Sequence, residues 1–246
     1  MTGSASNWWR DAVVYQVYPR SFADSDGDGM GDIPGLISRL DYLRDLGVDA
    51  IWISPFYTSP LNDGGYDVTD YRSIDDRLGT LADVDELLAQ AHARQIRVLL
   101  DLVPNHTSSE HRWFQEALRS GPESAAWDRY VVRPGKGADH AEPPNNWRSV
   151  FHGKGWSRVH DADGKPTAYW YLHLFDTTQP DLNWNNPEVH REFIDTLRFW
   201  FDRSVDGFRI DVAHGLVKEE GLPDFDYHDE DADATPAGRP APPTSR

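Results

Sequence analysis

Four short apolar runs that alternate with amphipathic helical segments constrain the fold of this chain most strongly. The runs comprise residues 13–18, 50–53, 97–103 and 207–212. Between them, apolar residues recur at helical spacing, and Pro34 and Thr80 occupy positions typical of helix starts. A long section, about residues 105–185, follows the third run and shows little periodicity. The pattern predicts an α/β fold, a parallel barrel with an inserted subdomain after strand 3.

The charge balance and the absence of cysteine limit the function classes. Of the 246 residues, 41 are acidic and 24 are basic, so the formal net charge is −17. Nucleic acid and anionic membranes favour positive surfaces, so we expect neither as a partner. Without cysteine, disulfides and Cys-ligated zinc are excluded. The N-terminus lacks a signal-peptide pattern and no apolar run approaches membrane-spanning length, so we expect a cytoplasmic protein whose oligomeric state stays open.

Residues 207–211, Gly-Phe-Arg-Ile-Asp, combine a strand pattern with two charged side chains. In a strand, Arg209 and Asp211 lie on the same face. An adjacent arginine keeps a carboxylate ionised. An ionised carboxylate at a strand end can act as the nucleophile on the anomeric carbon of a sugar. The five residues alone are equally consistent with a buried Arg–Asp ion pair.

Polar and charged residues follow three of the predicted strands, at the ends where barrel active sites lie. Asp101–His106 resembles the first sequence region of the α-amylase family of glycoside hydrolases, and Gly207–Asp211 resembles its second. Gln179–Asn183 resembles the segment that marks the α-glucosidase/oligo-1,6-glucosidase branch of that family. The resemblance extends from residue 8 to about residue 223.

The resemblance implies a role for each matching side chain. Asp211 corresponds to the nucleophile that forms a covalent glucosyl-enzyme, and Arg209 would hold it anionic. His106 corresponds to the histidine that hydrogen-bonds hydroxyls of the sugar in the cleavage subsite. Asp63 and Tyr66 correspond to the pair that binds the non-reducing glucose, the first through its hydroxyls and the second by stacking. The substrate implied is a short oligosaccharide.

Other residues near the predicted site have structural alternatives. Phe175 would supply an apolar wall, and His214 would serve either a reducing-side subsite or helix-end packing. Asp101 is expected to be a network carboxylate rather than a reactant. Without the resemblance, His106 is equally a structural hydrogen-bonding group after a strand, and Asp63 with the two following glycines is a turn.

Acidic residues alternate with other residues, several of them glycine, in the segment 24–32. The acidic residues are Asp24, Asp26, Asp28 and Asp32. Carboxylates at this spacing converge on a hard cation such as Ca²⁺, and without a cation they repel each other. Gly35 stands where an EF-hand carries glutamate, so no true EF-hand is expected. The loop resembles the calcium loop after strand 1 of this enzyme branch, where the Met30 carbonyl adds a ligand. The alternative is an acidic surface turn.

The resemblance implies that the chain holds the first half of a (β/α)8 TIM barrel. The expected parts are strands 1–3 with their helices over 8–104, the inserted subdomain over 105–185, helix 3 and strand 4 over 186–223, and a disordered C-terminal tail over 224–246. The family's proton donor is a glutamate after the fifth strand, and the residues after Asp211 show no further strand pattern. We therefore expect a truncated or frame-shifted product.

Three functions are consistent with these observations. The first is a retaining α-glucosidase-type glycoside hydrolase acting on short α-linked gluco-oligosaccharides, here without its acid/base glutamate. The second is a catalytically inactive sugar-binding or scaffold protein, and the third is a trehalose synthase-like transglycosylase. The presence of Asp211, Arg209 and His106 favours an enzyme as the parent protein, whereas the missing donor favours inactivity of this chain.

Overall fold

Strands and helices alternate along the computed structural model, which describes residues 7–122 and 124–227. The strands are β1 (Val14–Val17), β2 (Ala50–Ile53), β3 (Tyr57–Thr58), β4 (Asp70–Ile74), β5 (Arg97–Leu102), β6 (Val132–Pro134), β7 (Trp156–His160), β8 (Pro166–Leu172) and β9 (Gly207–Ile210). The α-helices are α1 (Pro19–Phe22), α2 (Ile33–Ser38), α3 (Leu40–Leu46), α4 (Leu81–Ala93), α5 (Arg112–Ser120) and α6 (Pro187–Asp202). Short 3-10 turns occupy Trp8–Arg10, Trp127–Arg129, Ala138–His140 and Ala213–Gly215.

The chain divides into two units, and the first contains the predicted barrel strands. This unit comprises Met1–Thr58, Tyr71–Leu102 and Thr196–Arg209. Its sheet has the order β1-β2-β5-β9, with β1 parallel to β2 and β2 parallel to β5. The four strands are the four apolar runs of the sequence in chain order, which confirms the predicted parallel α/β arrangement. The structure ends the last strand at Ile210, two residues before the predicted boundary.

The helices of this unit begin where the sequence predicts, but one of them is divided. Thr80 caps α4 through a capping box with Asp83, as its position predicted. The helical segment that begins near Pro34 forms two helices, which meet at Arg39. The Ser38 hydroxyl donates to the carbonyl of Gly35 (2.6 Å), and such side-chain bonds compete with helix continuation.

The second unit contains the predicted insertion but has wider boundaries. It comprises Ser59–Asp70, Val103–Asp195 and Ile210–Arg246, so the expected 105–185 subdomain forms only part of it. Its antiparallel sheet has the order β6-β8-β7. A cluster of buried apolar residues packs here: Val131, Trp147, Trp156, Trp170, Leu172 and Leu174. Three of the ten tryptophans of the chain therefore belong to this core.

The segment that begins the predicted disordered tail is packed against the second unit. Leu222 and Phe225 contact the tryptophan cluster, and the indole of Trp147 donates to the carbonyl of Pro223 (2.8 Å). Within the predicted tail, Phe225 packs against this cluster and its N–H donates to Asn146 Oδ1 (2.8 Å), so contacts of the second unit hold the segment around Phe225. The rest of the predicted tail, residues 228–246, lies outside the described residues. Among the helices of the described ranges, none has the length and apolarity to cross a bilayer.

Candidate active site

His106 lies at the centre of the candidate site in the second unit. It follows β5 and is almost fully buried, and its backbone forms an isolated antiparallel bridge with Asp181. Its ring nitrogens face two amides: Nδ1 is 3.2 Å from Asn105 Nδ2, and Nε2 is 3.2 Å from Gln179 Nε2. Burial lowers the pKa of His106, and the positive charge of Lys218 lowers it further. The ring is therefore held neutral.

The Asp63–Tyr66 segment forms a tight turn, with the Tyr66 N–H bonded to the Asp63 carbonyl (2.9 Å). Gly64 and Gly65 both have positive φ, 59° and 107°, which favours glycine at these two positions. The buried carboxylate of Asp67 accepts from the Asp63 N–H (3.2 Å). The turn predicted from the residues alone is thus present, and the roles of Asp63 and Tyr66 in glucose binding stay predictions.

The Asp63 carboxylate accepts a hydrogen bond from a neutral side chain and lies near several other carboxylates. Gln179 Nε2 donates to Asp63 Oδ2 (2.9 Å). Burial raises the pKa of Asp63, and the charges of Asp67, Asp176 and Asp211 raise it further, whereas the Gln179 hydrogen bond lowers it. Three neighbouring carboxylates therefore oppose ionisation of Asp63, and Gln179 supports it.

Asp211 follows β9 directly and is partly exposed. Its negative charge raises the pKa of both Asp63 and His106, so these three side chains lie within electrostatic reach of each other. The next residue, Val212, has φ 48° and ψ 37°, and its carbonyl accepts from the Gly215 N–H (2.9 Å). A β-branched residue in the left-handed region is strained, and such strain is frequent beside functional groups.

Arg209 lies in the first unit, where it pairs with Asp101. Its Nη1 is 3.1 and 3.2 Å from the two carboxylate oxygens of Asp101. The Asp101 carboxylate also accepts from the Trp52 indole (3.2 Å), and the guanidinium lies 4.8 Å from the centroid of that ring. Asp101 is therefore a network carboxylate, as the sequence indicates. The predicted action of Arg209 on Asp211 stays a prediction.

Aromatic rings border His106 on one side. The ring of Phe175 lies 5.2 Å from that of His106, centroid to centroid, and Phe151 lies 5.7 Å from Phe175. Phe151 is exposed and was not predicted from the sequence, where only the high aromatic content pointed to it. His214 is exposed in the 3-10 turn after Asp211, so its predicted sugar contact stays a prediction.

Two buried residues that connect the site were also missed. Gln179 stands in the segment Gln179–Asn183, which was recognised only as a branch marker. Lys218 is almost fully buried, and its Nζ lies 3.0 Å from Asp181 Oδ2 and 2.9 Å from Asn105 Oδ1. The only signal for Lys218 was a charged residue after the apolar stretch Gly-Leu-Val.

The acidic loop in the first unit brings together three of its four carboxylates. Ligand oxygens of Asp24, Asp26 and Asp28 all lie within 4.8 Å of one another. Asp32, the fourth predicted ligand, is the N-cap of α2 and accepts from the Gly35 N–H (2.5 Å), and its role as a ligand stays a prediction. Its second oxygen accepts from the Ser25 N–H (3.0 Å), so this carboxylate is occupied within the loop.

Comparisons with known proteins agree with the motifs and the geometry. The alpha-amylase catalytic domain profile matches residues 16–241. An oligo-1,6-glucosidase of Parageobacillus thermoglucosidasius is 52% identical over 217 residues, which cover 88% of this chain and 37% of the relative. The trehalose-6-phosphate hydrolase structure of Bacillus licheniformis superposes with a TM-score of 0.83 at 47% identity, covering 93% of this chain and 40% of that one. The isomaltulose synthase structure of Erwinia rhapontici NX5 gives 0.83 at 45% identity, covering 91% and 38%.

The structural matches also identify the fold to which the parallel sheet belongs. The structural neighbours are TIM-barrel enzymes, and this chain spans about 38% of their length. The parallel sheet, the inserted segment after β5 and the residues around His106 and Asp211 occur in the order of the family's sequence regions. The chain therefore belongs to the alpha-amylase catalytic-domain family, and its relatives include glycoside hydrolases.

Proposed function

We propose that this chain carries the nucleophile and the glucose-binding groups of a retaining α-glucosidase-type glycoside hydrolase acting on short α-linked gluco-oligosaccharides. One observation carries the proposal: Gln179 Nε2 lies 2.9 Å from Asp63 Oδ2 and 3.2 Å from His106 Nε2, so the two residues predicted to bind glucose hydroxyls meet at one donor. The oligo-1,6-glucosidase relatives support this substrate class. The activity itself is proposed for the complete protein, because this chain spans only part of its relatives.

The proposed chemistry begins with attack by an Asp211 oxygen on the anomeric carbon of the bound glucosyl unit. The bond from that carbon to the leaving oxygen breaks, and a covalent glucosyl ester forms. Water then releases glucose with retained configuration. Arg209 is proposed to keep Asp211 ionised, and Phe175 to form an apolar wall beside His106. The proton donor is expected after a fifth barrel strand, and the parallel sheet of the described residues includes four strands.

The nucleophile can be tested without the proton donor. In 5-fluoro-α-glucosyl fluoride the leaving group departs as fluoride, so formation of the glucosyl ester does not require protonation of an oxygen. We expect the purified 246-residue chain to gain the mass of one fluoroglucosyl group. Peptide mass spectrometry should place that group on Asp211. Asp211→Asn should abolish labelling, because a carboxamide is a poor nucleophile.

Asp226 offers a matched control for this experiment because it is exposed and lies 15 positions after Asp211. Asp226→Asn should label at the rate of the unchanged chain, and circular dichroism should show that both variants fold. A label on another carboxylate would contradict the assignment of Asp211. Binding of glucose without any label would favour the inactive sugar-binding alternative.

Transglycosylation is a second candidate, because an isomaltulose synthase is among the structural neighbours. Transfer and hydrolysis share the glucosyl-enzyme. In hydrolysis water attacks this intermediate, and in transfer a sugar hydroxyl does. The labelled chain can therefore be incubated with buffer alone or with added maltose. Faster loss of the label in maltose, with formation of a fluoroglucosylated sugar, would favour transfer. Measurable release of fluoroglucose into water at a rate that maltose does not change would favour hydrolysis.

We also propose that the loop of residues 24–32 binds a structural Ca²⁺. Asp24, Asp26 and Asp28 are the carboxylates that would hold the ion, and the Met30 carbonyl would add a ligand. Asp32 would support the site as the α2 cap rather than through a free oxygen. Bound Ca²⁺ would neutralise the carboxylates and restrict the loop.

Calcium at 100 times its dissociation constant is expected to raise the free energy of unfolding by about 2.7 kcal/mol. Asp26→Asn combined with Asp28→Asn should remove this effect in thermal unfolding experiments. Asp45→Asn on the exposed end of α3 is the matched control. A melting temperature that stays constant when Ca²⁺ is added to the unchanged chain would contradict the calcium proposal.

A further inference from the structure

Gln179 connects the two side chains that are proposed to bind glucose hydroxyls. Its side chain is fully buried. Nε2 lies 2.9 Å from Asp63 Oδ2 and 3.2 Å from His106 Nε2. One carboxamide NH2 group therefore contacts both the carboxylate and the imidazole, and each of its two hydrogens faces a different partner.

The orientation of this carboxamide is determined by a third contact. Gln179 Oε1 accepts from the backbone N–H of Asp176 (2.9 Å), and the Gln179 N–H donates back to the Asp176 carbonyl (2.9 Å). A backbone N–H can only donate, so the carbonyl side of the amide must face Asp176. The NH2 group consequently faces Asp63 and His106, and the opposite orientation would leave two donors facing each other.

The turn that carries Gln179 is itself held by hydrogen bonds. The Asp176 carboxylate accepts from the N–H of Thr178 (2.9 Å) and from its hydroxyl (2.7 Å). Gln179 thus projects from a closed turn rather than from a loose loop. A donor mounted in this way can define where its acceptors lie, because its own position does not depend on them.

From this geometry we propose that Gln179 is a positioning residue, which holds the Asp63 carboxylate and the His106 ring in one fixed arrangement for binding a glucosyl unit. This inference rests on the proposed function for its sugar ligand. The arrangement of Asp63 and His106 can nevertheless be measured without sugar. Gln179 acts through these two side chains and is distinct from the nucleophile.

The charges around the two acceptors indicate why a neutral donor is suited to this position. Asp63 faces the carboxylates of Asp67, Asp176 and Asp211, so a second anion in place of Gln179 would oppose its ionisation. The groups acting on His106 are Asp181, Asp211, Lys218 and the backbone of Tyr66. Gln179 Nε2 can donate to His106 Nε2 only when that nitrogen carries no proton, so a protonated ring would lose this hydrogen bond. Gln179 therefore favours an ionised Asp63 and a neutral His106.

The test compares Gln179→Met, which removes the donor, with Gln179→Glu, which keeps the shape and replaces the donor by an anion. Carbon-13 NMR of the carboxyl groups reports the titration of Asp63, and nitrogen-15 NMR of the imidazoles reports that of His106, both without sugar. We expect the pKa of Asp63 to rise in both variants. In Gln179→Glu, the pKa of His106 should rise as well, because an anion stabilises imidazolium.

Glucose binding provides the second readout, measured across the same pH range. Loss of a hydrogen bond to a charged group predicts about tenfold weaker glucose binding by Gln179→Met at neutral pH. The pH below which glucose binding is lost should be higher in this variant, because Asp63 must be ionised to accept from sugar hydroxyls. A residue with only a structural role would weaken binding equally at every pH.

Gln115 is the matched control, because its Nε2 donates to the Ser109 carbonyl (2.8 Å) at an exposed position of the same unit. Gln115→Met and Gln115→Glu should leave both titrations and glucose binding unchanged. If Gln179→Met unfolds, the isosteric Gln179→Glu still provides the two titrations. Unchanged titration of Asp63 in a folded Gln179 variant would overturn the proposal. If the titrations shift but glucose does not bind the unchanged chain, the proposed function fails and the positioning by Gln179 stands.

Discussion

Replacement of Lys218 by methionine is expected to lower the free energy of unfolding by about 3–5 kcal/mol. Lys218 and Asp181 are buried, and Nζ lies 3.0 Å from Asp181 Oδ2. Nζ also donates to Asn105 Oδ1 (2.9 Å) and to the Gly215 carbonyl. Removing the ammonium would leave the Asp181 carboxylate buried without its counter-charge, and the Leu174 N–H (3.0 Å) would remain as a neutral donor. Urea denaturation followed by circular dichroism measures the loss.

A double variant can test whether the loss of stability comes from the unpaired buried charge or from lost packing. Lys218→Met combined with Asp181→Leu removes both charges, and apolar replacement of a buried pair is often close to neutral. The double variant should therefore lose less stability than the sum of the two single variants. Lys154→Met, at an exposed position, is the control and should change stability by less than about 0.5 kcal/mol. Additive losses in the double variant would show that the two charges do not stabilise each other.

Acid is expected to destabilise the protein through His111 before most carboxylates are protonated. Burial lowers the pKa of His111 from 6.5 to about 4, with Arg112 and Arg129 contributing in the same direction and Asp70 opposing them. Between these two values the unfolded chain binds a proton that the folded chain does not, so stability falls as the pH falls from 6.5 to about 4. Below pH 4 both states bind the proton and the loss is complete. The contribution is about 3 kcal/mol.

His111→Asn would remove the titrating group and keep a side-chain acceptor at the start of α5. Nδ1 of His111 accepts from the Trp113 N–H (3.1 Å) at the start of α5, and asparagine can supply an equivalent acceptor. We expect the stability of His111→Asn to depend less on pH between 6.5 and 4 than that of the unchanged chain, as measured by urea denaturation at several pH values. His160→Asn, at an exposed position, is the control. Parallel pH profiles for His111→Asn and the unchanged chain would contradict the assignment.

The order of the strands and the family were predictable because they depend on local patterns. The runs at 50–53 and 97–103 are short, apolar and flanked by helical segments, and the structure places them side by side as β2 and β5. Thr80 was recognisable as a cap because a capping box involves residues three positions apart. Such signals come from neighbours along the chain, and the sequence shows those neighbours directly.

Partners distant in sequence were not predictable in the same way. The spacing of Arg209 and Asp211 suggested that they act together, which stays a prediction, but it gave no sign that the guanidinium also bonds Asp101 across 108 positions. The spacing of Asp32 predicts a cation ligand, and it gave no sign that the oxygens of this residue also cap a helix and accept from Ser25. A carboxylate has the same appearance in the sequence whether it binds a metal, caps a helix or pairs with arginine.

The sequence by itself determined the alternation of strands and helices and the family, because both depend on residues close together along the chain. Only the tertiary structure revealed that Gln179 contacts both Asp63 and His106, and that Lys218 is buried against Asp181. The physical reason is that hydrogen bonds and desolvation depend on distances between atoms of separate segments. Those distances exist only after the chain has folded.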